Sequence, residues 1–248
     1  MNDEARRHCV EIDRCNQRGG RMLSIVDLMD AGTVTPELAA YSLAAIGGGA
    51  SLLVGAVPGG AGKTTVMGAL LNFVPPDAQL AAADGMAAIR LGAEAPRPRR
   101  CYICHEIGRG PYYAYLWGPE LRAYFDLPAA GHMLATNLHA DTYQQARRQI
   151  CDDNDVTAEA LCRMSLMYFM SVRRSGLGAR RRIETVWESD GAQPHRQVFA
   201  ADSPAPLAES ALVSAEGVAR ARATIEKLLA DGARTIEQVR ATICGPTD

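Results

Sequence analysis

A chain of 248 residues, 48% hydrophobic and 22% charged, has the composition of an ordinary globular protein with room for one α/β domain and small additions. The net charge of -2 gives no general attraction to nucleic acid or acidic lipid, and no stretch approaches the roughly 20 apolar residues that a membrane helix needs. Seven irregularly spaced cysteines, behind a charged N-terminus without an apolar run, favour a reducing cytoplasm over secretion.

The first part of the chain predicts two helices before the first strand. Residues 1–21 are polar, and we expect them to form a loose, flexible lead-in. Apolar residues at helical spacing begin at Met22, and Thr35 followed by Pro36 is a typical helix start, with threonine as the N-cap. This second helix is expected to stop at the glycines of residues 47–49.

Short apolar segments then alternate with segments compatible with helices, which predicts a doubly wound, mainly parallel sheet. From Ser165 onward, three β-like segments are joined by turns. We therefore predict an α/β fold built on this sheet, with residues 22–200 as its core domain, a β-rich extension and C-terminal helices in residues 201–248. The apolar segments of the sheet that follow the first strand lie at 79–83, 101–107 and 132–136.

A glycine-rich loop with Lys63 and Thr64 at its end separates an apolar segment from a helix-compatible one in SLLVGAVPGGAGKTTVMGALL, residues 51–71. Phosphate binding needs inward-facing backbone N–H groups and a helix N-terminus, and the glycines within 59–62 allow both. Lys63 can reach β- and γ-phosphates, and the Thr64 hydroxyl can bind Mg²⁺. The pattern G-x-x-x-x-G-K-[ST] has Val57 in place of its first glycine. A chance glycine-rich turn is the alternative, which the flanking strand and helix disfavour.

Such a site also needs an acidic residue at the end of a neighbouring strand, to hold the water of a magnesium ion or to activate the attacking water. Glu106 follows the apolar residues 101–104 and is the candidate. His132 and His139 flank the core of the next apolar segment. A plain strand with polar ends is the alternative for that segment.

Six segments in this order resemble the C-terminal motor domain of the type II/type IV secretion ATPases, and within that superfamily the archaeal archaellum and pilus branch most of all. The resemblance covers residues 22–190 and implies a RecA-like P-loop fold that uses ATP and Mg²⁺. It also implies a homo-oligomeric ring of six in the cytoplasm, at the inner face of the membrane beside a membrane platform protein. The net charge gives no reason to expect a nucleic acid partner. The segments are SIVDLMDAGTVTPELAAYSLAAI, SLLVGAVPGGAGKTT, LLNFVPPDAQL, CHEIGRG, GHMLATNLHADT and SVRRSGLGARRRIETVWE.

The resemblance also implies roles for single residues. Glu106 matches the Walker B acid and, with Thr64, would serve Mg²⁺. His132 and His139 match a histidine box that senses the nucleotide state, and Asp84 remains from a catalytic acidic pair. The implied Walker A and nucleotide-binding residues are Pro58, Gly59, Gly60, Ala61, Gly62, Lys63, Thr64 and Thr65.

The chain departs from the family pattern in three ways. Ala83 stands where the acidic pair has the glutamate that orients the attacking water, a role that contributes about 10²–10⁴-fold in rate. Val57 replaces the first loop glycine, and the large N-terminal domain is reduced at most to residues 1–21.

We therefore hypothesise an ATP-binding, slowly hydrolysing oligomeric motor domain of a secretion, pilus or archaellum-like system. A nucleotide-binding assembly or regulatory protein without turnover is the alternative, and a small-molecule P-loop kinase is a weaker third.

Three further patterns have plainer explanations. Residues 101–105 fit the haem attachment pattern C-x-x-C-H, but in a buried strand without an export signal we expect neither haem nor zinc. Arginines at 173, 174 and 180–182 could contact nucleic acid, but the chain as a whole is not basic and no aromatic residues interleave them. We therefore expect a solvated hairpin or a subunit edge. The aromatic residues between Tyr112 and Trp117, at helix-compatible spacing, are expected in the core or at a ring interface.

Overall fold

The computed structural model describes residues 3–16, 19–57, 59–94, 97–175, 178–203 and 207–245. The strands are β1 (Leu52–Gly55), β2 (Gln79–Ala82), β3 (Arg100–Ile107), β4 (Tyr115–Leu116), β5 (Met133–Leu138), β6 (Leu166–Ser175), β7 (Gly178–Glu188) and β8 (Arg196–Ala200). The α-helices are α1 (Asp3–Arg14), α2 (Ile25–Asp30), α3 (Pro36–Gly47), α4 (Lys63–Leu71), α5 (Gly85–Glu94), α6 (Pro119–Asp126), α7 (Tyr143–Arg147), α8 (Ala158–Cys162), α9 (Ala215–Ala230) and α10 (Ile236–Cys244). A 3₁₀ turn at Leu127–Ala130 follows α6, and a π-helical turn at Arg148–Asp152 follows α7.

The strands form one sheet of eight in the order β2-β3-β5-β1-β6-β7-β8, with β4 paired to β3. The pairs from β2 to β6 are parallel, whereas β6, β7 and β8 pair antiparallel. Because parallel strands need crossover connections, α4 to α8 lie between successive parallel strands. The carboxyl ends of β1, β3 and β5 therefore lie side by side at one edge of the sheet.

Helices cover both faces of the sheet, and the alternation of side chains along each strand explains why. In β1, Leu52 and Val54 enter one apolar cluster, and Leu53 enters the other. The first cluster is covered by α1 to α4, α9 and α10, and the second by α5 to α8. Strands that are buried on both faces appear in the sequence as continuous apolar runs, so each run predicts a strand but not the face of each residue.

The predicted fold class is confirmed: the protein is a mixed α/β structure with a mainly parallel sheet, compatible with a RecA-like core. The three predicted apolar segments are β2, β3 and β5, and the β-like segments after Ser165 are β6 to β8. Thr35 caps α3 as predicted, since its side chain accepts a hydrogen bond of 3.2 Å from the Leu38 N–H. The domain boundaries stay a prediction.

The N-terminal segment differs from the loose lead-in expected for residues 1–21, because it contains the helix α1. One face of α1 is buried through Ala5, His8, Cys9 and Ile12, while the other residues are charged apart from the exposed Val10. Only one of these four is strongly apolar, which is why the composition of the segment hides its amphipathic pattern.

The centre of the first cluster is α4, which is buried along almost its whole length. The last carbonyls of a buried helix need donors from the protein. His8 Nε2 donates to the Leu71 carbonyl at 2.9 Å, and Arg240 Nη1 donates to the Asn72 and Val74 carbonyls at 2.9 and 2.5 Å. The N-terminal and C-terminal helices therefore hold the end of α4 by side-chain hydrogen bonds.

No helix in the described ranges combines the length and apolar character that crossing a membrane requires.

Lowering the pH from 7.5 to 5.5 should lower the free energy of unfolding through His8. Burial, together with the charge of the neighbouring Arg240, lowers the pKa of His8 from 6.5 to about 3. Between these values only the unfolded chain binds the proton, so this stability is fully present above pH 6.5 and is lost as the pH falls towards 3. The expected loss over this range is about 1.4 kcal/mol, and the slope approaches about 1.4 kcal/mol per pH unit below pH 5.5, measured by urea unfolding.

His8→Gln is the matched variant, because glutamine keeps a donor for the Leu71 carbonyl but does not titrate. Its loss of stability from pH 7.5 to pH 5.5 should be smaller by about 1.4 kcal/mol. His195→Gln is the control, because burial also lowers the pKa of His195. This change should remove the contribution of His195 to the pH dependence of the free energy of unfolding and leave the contribution of His8 unchanged. An unchanged slope in His8→Gln would contradict the assignment.

Candidate functional site

A cavity of about 610 Å³ lies at the carboxyl ends of β1 and β3, where the glycine-rich loop follows β1. Crevices at this edge of a parallel sheet are the usual ligand sites of α/β folds, and the volume is within the range of small-molecule pockets. The loop and the first turn of α4 form one wall, through Gly59, Gly60, Ala61, Gly62, Lys63, Thr64 and Thr65. The other walls include the segment around Met22, the β6–β7 pair, and the side chains of His105, Glu106, Tyr115 and His139.

Two glycines give the loop a backbone conformation that other residues would strain. Gly60 and Gly62 have φ of +79° and +96°, in the left-handed region that side chains disfavour. Gly62 is the N-cap of α4 and supplies no side-chain acceptor, and the first turn of α4 contains no acidic residue. The first N–H groups of α4 are therefore not capped by a side chain of that turn and can bind an anion.

Val57, which replaces the first glycine of the motif, fits because its backbone does not need a glycine. Among the described non-glycine residues only Ala114 and Asp155 have positive φ, so Val57 lies in the ordinary region. Its N–H donates to Asp141 Oδ1 at 2.6 Å, which fixes the entrance of the loop to the end of β5. Sequence reasoning missed this role of Asp141. Pro58 lies outside the described residues.

Three predicted site residues meet beneath the loop. Lys63 Nζ lies 3.5 Å from Glu106 Oε1 and 3.4 Å from His139 Nδ1, and His139 Nε2 lies 3.3 Å from Glu106 Oε1. For a neutral ring, a proton on Nε2 lets His139 accept from Lys63 and face Glu106 as a donor; the other tautomer would instead donate from Nδ1 to the Val57 carbonyl at 3.1 Å. We assign the first tautomer, since it suits both charged neighbours.

The contacts of this group are long. Lys63 also reaches the Ala56 carbonyl at 3.4 Å, and such distances exceed the 2.7–3.2 Å of ordinary N–H···O hydrogen bonds. Glu106 Oε1 is buried, and in the part of the chain that the structure describes it accepts no hydrogen bond of good geometry. A buried carboxylate oxygen with an incomplete set of donors is suited to a further ligand, such as a cation or its water.

A β-bulge in β3 brings two adjacent side chains to the cavity. The pairing of β3 with β5 shifts between Cys104 and Ile107, so that His105 and Glu106 together lie opposite Asn137. Asn137 Nδ2 donates to the His105 carbonyl at 2.9 Å and holds the bulge. Bulges re-aim side chains beside active sites, and here the bulge turns both His105 and Glu106 towards the cavity. The role of His105 was not predicted from the sequence.

His132 is not brought to the site. It precedes β5, at the amino end of the strand, whereas Glu106 and His139 lie at the carboxyl ends of β3 and β5. Its Nδ1 accepts from the Arg100 N–H at 3.2 Å, its Nε2 donates to the Gly92 carbonyl at 2.9 Å, and the ring is buried. The structure therefore does not bring His132 to the cavity, and its contacts link the start of β5 to β3 and α5; its role as a nucleotide sensor stays a prediction.

Asp84 and Ala83 follow β2, one strand beyond Glu106. Asp84 is exposed, and it is not among the residues that line the cavity. Its charge acts on His105: burial lowers the pKa of His105 and Asp84 partly opposes that shift. Ala83 is fully buried in the second apolar cluster. The side chain of residue 83 therefore points into the core, so a glutamate there would not reach the cavity as the resemblance implies.

The two cysteines of the C-x-x-C-H pattern lie on opposite faces of β3. Cys101 packs in the first apolar cluster and Cys104 in the second. No group of three metal-ligating side chains occurs in the described ranges.

The aromatic residues after β3 form a loop and the short strand β4, and not the helix that their spacing suggested. Tyr112 and Tyr113 are exposed, whereas Tyr115 lines the cavity. Arg109 lies over the Trp117 ring, 4.9 Å from its centroid. The interaction anchors the loop beside the cavity.

The residues of the cavity fit a nucleotide phosphate chain with a magnesium ion. The inward-facing loop and Lys63 match the phosphates, and the Thr64 hydroxyl and the incompletely paired Glu106 Oε1 match the cation or its water. Magnesium would supply charge neutralisation at the phosphate oxygens.

No protein-family model and no curated protein matches this chain. Among solved structures, it is similar to the VirB11 ATPase of the Brucella suis type IV secretion system, solved with sulphate, at 18% identity and a TM-score of 0.44 over 59% of this chain and 50% of that one. It is also similar to the Legionella pneumophila ATPase DotB, at 11% identity and a TM-score of 0.45 over 91% of this chain and 66% of that one. The chain thus spans half to just under two thirds of the lengths of these two proteins.

Ala83→Glu should destabilise the fold instead of restoring a catalytic carboxylate. Ala83 lies in the same buried apolar cluster as Ile89 and Tyr102, where a carboxylate would lose hydration. We expect the free energy of unfolding to fall by at least about 2 kcal/mol, measured by urea unfolding. Asp84→Glu, at the exposed neighbouring position, is the control and should change it by less than about 0.5 kcal/mol. A stable Ala83→Glu variant with faster turnover would contradict this placement.

Proposed function

We propose that the chain binds ATP with Mg²⁺ and hydrolyses it as a motor domain of a secretion, pilus or archaellum-like system. One observation carries the proposal: Lys63, Glu106 and His139 meet within 3.5 Å of one another beneath a glycine-rich loop at the start of a buried helix. The order of the six resembling sequence segments supports the motor class. A homo-oligomeric ring, six-membered as in that family, at the cytoplasmic face of a membrane platform is part of the proposal.

Each residue has a role that follows from its position. The loop N–H groups and Lys63 bind the phosphates, and Thr64 binds the magnesium ion. Glu106 holds the cation's water and, next to His139, orients the attacking water. Because charge develops on the phosphoryl oxygens in the transition state, groups that are fixed before the reaction contribute most to the rate.

A second candidate is a nucleotide-binding assembly or regulatory protein with little turnover. The observation that favours it is the end of β2: Ala83 is buried and the exposed Asp84 does not line the cavity. No carboxylate from that strand then reaches the attacking water in the described structure. Turnover would depend on Glu106 and its two histidine neighbours alone.

Lys63→Ala should weaken ATP binding at least about a hundredfold, because the ammonium beneath the loop is lost. Lys227→Ala is the matched control, since Lys63 and Lys227 are the only lysines of the chain and Lys227 forms an exposed ion pair with Asp231. Calorimetry measures both affinities. Equal ATP affinity in the wild type and Lys63→Ala would place the site elsewhere.

The same two lysines allow a direct check of location. An ATP derivative with a lysine-acylating phosphate end should modify Lys63 and spare Lys227, as read by peptide mass spectrometry. An excess of ATP should prevent the labelling. Labelling of Lys227 alone would rule out the loop as the phosphate site.

Glu106→Gln should separate binding from turnover and so decide between the two candidates. We expect ATP affinity within about threefold of wild type but phosphate release slower by about 10²-fold or more, because the carboxylate acts on the attacking water.

Light scattering of the Glu106→Gln variant with Mg-ATP should show a ring of six subunits. A wild type that binds ATP but releases no phosphate would establish the second candidate, and a monomer with Mg-ATP bound would overturn the ring.

A further inference from the structure

The arginine-rich end of the β6–β7 hairpin extends beyond the paired part of β1, towards the glycine-rich loop. β1 pairs with β6 only as far as Gly55 and Phe169, whereas β6 and β7 stay paired to Ser175 and Gly178. We call residues 170–175 and 178–183 the ribbon. Since the loop begins where β1 ends, the base of the ribbon lies directly beside it, and Met170 and Arg181 line the cavity.

Arg181 is the ribbon residue that touches the loop. Its Nη2 donates to the Gly60 carbonyl at 3.2 Å. Its Cδ lies 3.2 Å from the point that a β-carbon on Gly62 would occupy, so the side chain packs against the backbone just before Lys63. A guanidinium has five N–H donors, and the contacts to Gly60 and to the Ala179 carbonyl leave others for a ligand.

The charge of Arg181 is not balanced by a nearby carboxylate. In the described ranges no carboxylate lies within ion-pair distance of it, whereas the next residue, Arg182, pairs with Glu184 at 2.7 Å and with Asp202 at 2.6 Å. Alternation along β7 explains the difference, because Arg181 lies on the same face as the buried Ile183 and Arg182 lies on the other. The face of the ribbon that touches the glycine-rich loop therefore carries the positive charge of Arg181.

We propose that Arg181 is a phosphate-binding residue that the chain supplies to its own nucleotide site. It contacts the outer phosphates of a bound nucleoside triphosphate from the side of the cavity opposite Glu106, while Lys63 contacts them from below the loop. Arginine is suited to this position, because its planar fork can bind a phosphate and a loop carbonyl at once. This inference rests on the proposed function. It means that the position of the ribbon and the presence of the triphosphate are coupled in both directions.

The test compares Arg181→Gln, Arg181→Lys and the control Arg182→Gln, each shown to be folded by circular dichroism and urea unfolding. Calorimetry gives the affinities for ATP, ADP, AMP and inorganic tripolyphosphate. We expect Arg181→Gln to weaken ATP and tripolyphosphate about ten- to a hundredfold and AMP less than about threefold, because the lost contacts are to the outer phosphates. Arg181→Lys should recover part of the loss, and Arg182→Gln should stay within about twofold of wild type.

Three results would overturn the inference. An unchanged ATP affinity in Arg181→Gln would show that the guanidinium does not contact the ligand. Equal losses for ATP, ADP and AMP would mean that Arg181 merely supports the loop through Gly60. Equal losses in Arg182→Gln would mean that only the general charge of the ribbon matters. Failure of the proposed function looks different: ATP would then bind equally to the wild type and to Lys63→Ala.

Discussion

The burial of α4 is the constraint on which the rest of the structure depends. A helix enclosed by protein must have both ends satisfied, since the backbone groups of its last turns cannot turn to water. At the carboxyl end the donors come from His8 and Arg240, which explains why segments far apart in the sequence fold around this helix. At the amino end Gly62 supplies no side-chain cap, and Lys63 and Thr64 of the first turn line the cavity. The same constraint thus requires the terminal helices at one end of α4 and, at the other, leaves N–H groups to which the proposed function assigns a phosphate.

The carboxyl edge of the parallel sheet decides which residues form the site. Lys63 follows β1, Glu106 ends β3 and His139 follows β5, so three residues separated by many positions in sequence become neighbours. His132 and His139 flank β5 at opposite ends, and His132 contacts β3 and α5. The length of the strand between them, about 3.3 Å per residue, keeps His132 away from the cavity.

The sequence predicts those features that depend on local signals. The cap at Thr35, the glycine-rich loop and the strand that ends near Glu106 all follow from short patterns, and the structure contains each of them. The bulge that turns His105 to the cavity depends on the register between β3 and β5, which no local pattern specifies. The direction of Ala83 and the packing of α1 likewise depend on contacts between distant segments, so the resemblance and the composition gave the wrong expectation for both.

The two basic residues at the glycine-rich loop differ in type, and each type suits the space around it. Of the 26 basic residues, 24 are arginine, yet lysine stands beneath the loop at position 63. The space there is bounded by the Ala56 carbonyl, His139 and Glu106 at 3.4–3.5 Å, which suits a compact ammonium and would crowd a planar guanidinium. On the open side of the loop, where a fork can reach both backbone and ligand, the residue is Arg181. Two cations of different shape thus face the same loop, and only the enclosed one requires lysine.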